Sequence, residues 1–284
     1  MNTLREIVRA HLPAAQAKLL EIGAYDRPTF TKQEANIFFL DVLTQKQLAA
    51  DAESSPSYKK EAVVPVDYVV ESNDYGKYVH DTFDAVIADN VFEHISNPIK
   101  WLETLQRMLN PDGFIFLCIP EYDQIFDRFR QPTPLAHLIN DYIKDVPDLD
   151  PEHSLELSLL YDMNYVKQEN VLADRMNMQA LRHAYDTPHF GVHCHAFSSK
   201  TFEYQIIKPM LMLDIMPLSF VALCPTYMSF VVVLQNRFAP MPLTYEQFVY
   251  NNMPIPSPQS KKSHSHSIAE RILRKIWQLA GSKS

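Results

Sequence analysis

Short apolar runs alternate with longer polar or helix-patterned stretches through the first 120 residues. The runs are 19–22, 37–40, 63–66, 85–88 and 114–119. Strands apolar on both faces belong in a sheet covered by helices on each side. The gaps between them are long enough for crossovers, which predicts parallel pairing. Two more strand-like runs follow, 211–215 continuing to 223, and 230–234. The reading is α/β: a Rossmann-like, seven-stranded, mostly parallel sheet with helices on both faces. The clearest helix follows the fourth run. Asn97 suits an N-cap and Pro98 the first turn, while Trp101, Leu102, Leu105, Met108 and Leu109 share one face. Residues 110–113 then turn into the fifth strand.

The loop after the first run narrows the ligand. The chain has five glycines, where average usage would give about twenty. Gly23 is followed by Ala24, Tyr25 and Asp26. A dinucleotide needs repeated glycines so that backbone can approach its pyrophosphate, so nicotinamide-dependent reduction is disfavoured. Net charge is -8, and six basic residues against one glutamate fall in 261–284, leaving an acidic body. Such a body argues against nucleic acid as the main ligand. Three widely spaced cysteines suggest a reducing compartment rather than a disulfide framework. With neither a signal-peptide pattern nor an apolar run of spanning length, the expected location is cytoplasmic.

Residues 121–197 interrupt the alternation and read as a helical lid inserted after the fifth strand, where insertions cover the carboxyl edge of a parallel sheet. The organisation expected is a domain over 1–250 containing that lid, a Pro/Ser-rich linker over 251–266 and a basic amphipathic tail helix over 267–284. Ile268, Ile272, Leu273, Ile276 and Trp277 oppose Arg271, Arg274 and Lys275. A face of this kind over 267–280 suits peripheral membrane contact, or docking on this protein or a partner.

The order "LLEIGAYDRP", "IFFLDV", "VVPVDYV", "FDAVIADNVFEHI", "LNPDGFIFLCIP" resembles the class I S-adenosylmethionine-dependent methyltransferases. The two late runs resemble that family's closing antiparallel hairpin. "EIG---RP" resembles a subgroup linked to bacterial surface-polysaccharide and sugar modification. The resemblance implies S-adenosylmethionine as cofactor, a small-molecule or glycan acceptor, and methylation at oxygen; the alternative is a methyltransferase fold that serves as a binding or scaffold module without turnover. It also implies cofactor contacts at Glu21, near the methionine end, and at Gly23 and Ala24 in the first loop. Asp41 would meet the ribose, Asp67 the adenine amino group, and Asp89 with Asn90 the cofactor and acceptor. Asp41 and Asp67 also suit plain turn-capping roles. S-adenosylmethionine carries no phosphate, so one glycine suffices.

An oxygen acceptor requires a base, and histidine is the natural one. Alternation along "HFGVHCHAF" puts His193 and His195 on one face. His195 is the first choice, with His193 and His94 behind it; all three also suit anchoring roles. A metal set drawn from His189, His193, Cys194 and His195 lacks an identifiable fourth group, so no metal site is assigned.

Overall fold

The computed structural model describes residues 2–54, 58–159, 178–213 and 215–237. The linker and tail helix expected over 251–284, and the part of the lid over 160–177, lie outside the described residues.

The chain opens with α1 (Leu4–His11), then β1 (Lys18–Ile22), β2 (Asn36–Asp41), α2 (Gln45–Ser54), β3 (Tyr68–Val69) and β4 (Phe83–Asp89). After β4 come α3 (Pro98–Arg107), β5 (Leu109–Pro120), α4 (Leu135–Lys144), α5 (151–159) and α6 (Met178–Asp186). A helix called α7 here runs through Ser199–Thr201, a π-wound stretch Phe202–Ile207 and Lys208–Leu211. β6 (Leu218–Pro225) and β7 (Ser229–Asn236) complete the sheet.

The seven strands lie in the order β3-β2-β1-β4-β5-β7-β6. The first five pair in parallel, and β7 joins β5 and β6 antiparallel. Chain order reverses between β1 and β4, and ligands of open α/β sheets bind at the carboxyl ends of strands at such a point. Strand alternation divides the core between the two faces. Leu20, Ile22, Val86 and Leu117 join Trp101, Leu102 and Leu105 of α3 on one face. Leu19, Ala85, Ile87 and Phe116 meet Ile7 and Val8 of α1 on the other. Asn97 caps α3 as expected, accepting from the Lys100 backbone N–H at 3.3 Å, with Pro98 in the first turn.

Four details depart from expectation. The run 63–66 is not a strand: Pro65 has no N–H to give, and the Val64 N–H donates to the Tyr25 carbonyl, 2.9 Å, instead of a ladder. The strand falls on Tyr68–Val69. Leu109 belongs to β5, not to α3. Residue 211 ends α7, and the sixth strand begins only at Leu218. Finally, α1 was not foreseen, although Thr3 and Glu6 form a capping box that marks its start. Among the described residues no helix is long and apolar enough to cross a membrane.

Candidate active site

Gly23, Asp41, Asp89 and Asn90 come together at the carboxyl ends of β1, β2 and β4. Gly23 has φ +68°, and a Cβ there would lie 3.1 Å from Val91 Cγ2. Both facts call for glycine, since a side chain in the left-handed region is strained. The loop beyond it is held by side chains in place of further glycines. Tyr25, also at positive φ, donates its hydroxyl to Asp51 at 2.7 Å and packs on the Tyr58 ring. Asp26 accepts from the Lys59 N–H at 2.8 Å.

Asp41 ends β2 half-buried, its Oδ1 accepting from the Leu43 N–H at 2.9 Å. Burial raises its pKa, and burial likewise raises that of Asp89. Asn90, at φ 52°, donates its N–H to the Cys118 carbonyl, which turns the chain out of β4 beside β5. The edge therefore offers one left-handed glycine and two strand-end carboxylates, without a phosphate cradle. That donor set fits a ligand bearing a ribose diol and a positive charge, which is the chemistry of S-adenosylmethionine.

Three residues expected at the cofactor are committed elsewhere. Glu21 is buried in β1, and its carboxylate accepts from the Thr29 N–H at 2.8 and 3.0 Å and from the Thr29 hydroxyl at 2.8 Å. It staples the far end of the loop. Desolvation outweighs these bonds and lifts its pKa to about 7. Ala24 is buried in the core on the α1 face, so its side chain is turned away from the edge. Asp67 precedes β3 rather than ending it. Its carboxylate accepts from the Phe39 N–H at 2.8 Å and pairs with Lys32 at 2.5 Å. The chain leaving β3 beside Asp41 is instead 70–73, with the Val70 N–H donating to the Asp41 carbonyl.

The histidines separate. His195 is wholly enclosed, and burial with nearby His153 and His137 drives its pKa well down. It cannot meet an acceptor and serves inside the lid. Its backbone N–H donates to the Glu93 carbonyl, 3.1 Å. His193 faces a different set of neighbours, contrary to simple alternation, because 192–197 is not paired in a ladder. Its Nδ1 donates to Asp127 Oδ2 at 2.5 Å, and its ring lies 4.5 Å from the His94 ring and 4.4 Å from that of Phe126. His94 Nδ1 donates to the Val192 carbonyl at 2.9 Å, which leaves Nε2 unprotonated. Burial and His193 pull its pKa down to about 4. Glu93, fully buried with neither oxygen bonded, is raised to about 8 by burial.

Two functional residues were not singled out from the sequence. Asp127 orients His193. Arg130 holds Asp127 at 3.2 Å and Glu156 at 3.0 Å, and donates to the carbonyls of His193 and Cys194 at 2.7 and 2.9 Å. These partners lie more than sixty residues apart in sequence, and no local pattern links them.

A methyltransferase domain profile matches residues 3–204. No curated protein is significantly similar in sequence. Solved structures similar to the chain include the CurJ carbon methyltransferase, with 13% identity, TM-score 0.39, and coverage of 82% of this chain and 51% of that one. The chain thus spans about half the length of that protein. Another is a SAM-dependent methyltransferase from Methanosarcina mazei, with 13% identity, TM-score 0.40, and coverage of 82% and 98%. A third, from Aquifex aeolicus, has 10% identity, TM-score 0.38, and coverage of 82% and 88%. The profile match spans well over half of the sequence, and the chain belongs to the methyltransferase domain family.

Proposed function

We propose that the protein transfers a methyl group from S-adenosylmethionine to an oxygen of a small molecule or glycan. The cofactor supplies an electrophilic methyl on a sulfonium; its transfer to a hydroxyl leaves one proton for the protein to take up. The observation that carries the reading is the Asp127–His193 pair, set against His94 just beyond the carboxyl end of β4. Asp127 fixes the proton of His193 on Nδ1 and leaves Nε2 as the acceptor for the hydroxyl proton. Arg130 keeps Asp127 ionised and in place. Gly23, Asp41, Asp89 and Asn90 hold the cofactor, so that positioning supplies much of the acceleration. Glycan acceptors are favoured by the "EIG---RP" likeness noted in the sequence.

The test is calorimetry with S-adenosylmethionine, followed by methyl-transfer assays over hydroxylated small molecules and oligosaccharides. Binding with transfer to oxygen supports the reading. Binding without turnover on any acceptor favours the scaffold alternative, and absence of binding at millimolar cofactor defeats both.

A further inference from the structure

The lid contains a second cluster that methyl transfer does not use. Four side chains from three places in the chain converge: His137 and Asp141 on successive turns of α4, His153 on α5, and His195 on the returning segment. One donor atom from each lies within 4.8 Å of the other three. His137 Nε2 is 3.2 Å from His153 Nε2 and 3.3 Å from Asp141 Oδ2. His153 Nε2 and His195 Nε2 are each 3.8 Å from that same oxygen. A tetrahedral zinc ion with bonds of about 2.0–2.1 Å has ligand–ligand edges near 3.4 Å. The cluster is within a few tenths of an ångström of that figure.

Burial makes the arrangement costly without an occupant. His195 is 0% exposed, and Asp141 and His153 are 3% exposed each. Asp141 Oδ2 and both ring nitrogens of His195 have no hydrogen-bond partner among the described residues. Each such group forfeits its hydration for nothing, a cost that native folds avoid. A cation at the centre would take all four lone pairs at once. The outer shell is of the kind that metal ligands have: His153 Nδ1 lies 2.7 Å from Asp150 Oδ2, which orients the ring with Nε2 inward.

We infer that His137, Asp141, His153 and His195 form a divalent metal site, selective for zinc, that clamps the lid. Three imidazoles and one carboxylate in tetrahedral array suit Zn²⁺ over Mg²⁺ or Ca²⁺, which prefer more oxygen ligands. With four protein ligands and no open position, the site is structural. Its place in the fold gives it a task. It joins α4 and α5 to the segment whose neighbour is His193, and that segment is fastened to Glu93 beside the carboxyl edge. The Asn97 side chain donates to the Asp141 carbonyl at 3.3 Å, linking the clamp to the start of α3. The sequence pattern around His193 and His195 lacked a fourth ligand because the other three come from α4 and α5. Cys194 is not among them; its thiol points to the His94 carbonyl at 3.3 Å.

The experiment uses the full chain, independent of any methyl-transfer assay. Elemental analysis of protein purified without chelator should give about one zinc per chain. Stripping with chelator should lower the unfolding temperature by several degrees, and added zinc should restore it. Cobalt in place of zinc should give the intense visible bands of a tetrahedral site. Those bands should vanish in His137→Ala, whose ring is partly exposed, and persist in His189→Ala, which is exposed and outside the cluster. An unfolding temperature indifferent to chelator and zinc, or cobalt bands unchanged in His137→Ala, would overturn the assignment. Chelation and reconstitution of the unmutated protein keep the test decisive if His137→Ala fails to fold.

Discussion

Glu21 is a carboxylate inside a sheet, and its surroundings pull its ionisation in opposite directions. Three hydrogen bonds from Thr29 favour the charged form, but desolvation wins and the pKa stands near 7, against 4.5 for the free group. The folded state thus keeps a proton that the unfolded chain has already released. The resulting stability is complete below about pH 4.5 and is lost as pH rises to about 7. Glu21→Gln cannot titrate. Between those limits the difference in unfolding free energy should move on the order of 3 kcal/mol in favour of the variant, and urea titrations at several pH values would measure it. A pH-independent difference would mean that Glu21 is charged throughout. Asp41 differs: its carboxylate is half-buried at a strand end and open to a ligand. Asp41→Ala should weaken S-adenosylmethionine binding by about 1–3 kcal/mol, read by calorimetry. His193→Ala should lower turnover by about 10²–10⁴-fold, the usual worth of a general base, with cofactor affinity nearly unchanged. Unchanged turnover would move the base to His94. From sequence alone both His193 and His195 were plausible, and alternation placed them together. Alternation holds only where a ladder fixes the pleat, and here Arg130 and Asp127, distant in sequence, decide which ring faces what.

At the scale of elements, six of the seven strands declared themselves through apolar runs, because burial on both faces leaves little choice of residue. The α3 cap was equally plain, since Asn97 and Pro98 act locally. β3 was displaced because it is only two residues long, and the Val63 and Val64 that drew attention are buried beside it without pairing. The first loop was legible in its glycine but not in its fastening, which depends on Thr29, Asp51, Tyr58 and Lys59. Gly23 carries a prediction that belongs to this loop. A Cβ at φ +68° costs about 1–2 kcal/mol in backbone strain, and contact with Val91 adds to it. Gly23→Ala should therefore lower the unfolding free energy by at least that amount, and should weaken cofactor binding as the β1 end shifts. A variant as stable as the parent would show that the loop relaxes freely.

On the scale of the whole molecule, the described residues form a closed structural unit. β7 lies between β5 and β6, and its last residues are tied back to the start of β5. The Gln235 side chain donates to the Asp112 carbonyl at 3.0 Å, and Asn236 donates to the carbonyls of Leu109 and Asn110 at 3.3 and 3.1 Å. Both faces of the sheet are filled by residues no later than 234. Nothing in these two cores calls for the residues from 251 onward. Deleting 251–284 should then shift the unfolding temperature by less than about 4 °C, the change that roughly 1 kcal/mol produces in a chain of this size. The same deletion removes six basic residues and one glutamate from an otherwise acidic protein. If the apolar and basic faces over 267–280 meet a membrane, the full chain should sediment with anionic vesicles at low salt and the shortened chain should not. Attraction of this kind weakens as salt rises, because screening shortens the reach of the charges. Equal sedimentation of both forms would dismiss membrane contact by the tail. A fall of many degrees on deletion would instead assign those residues to the folded core.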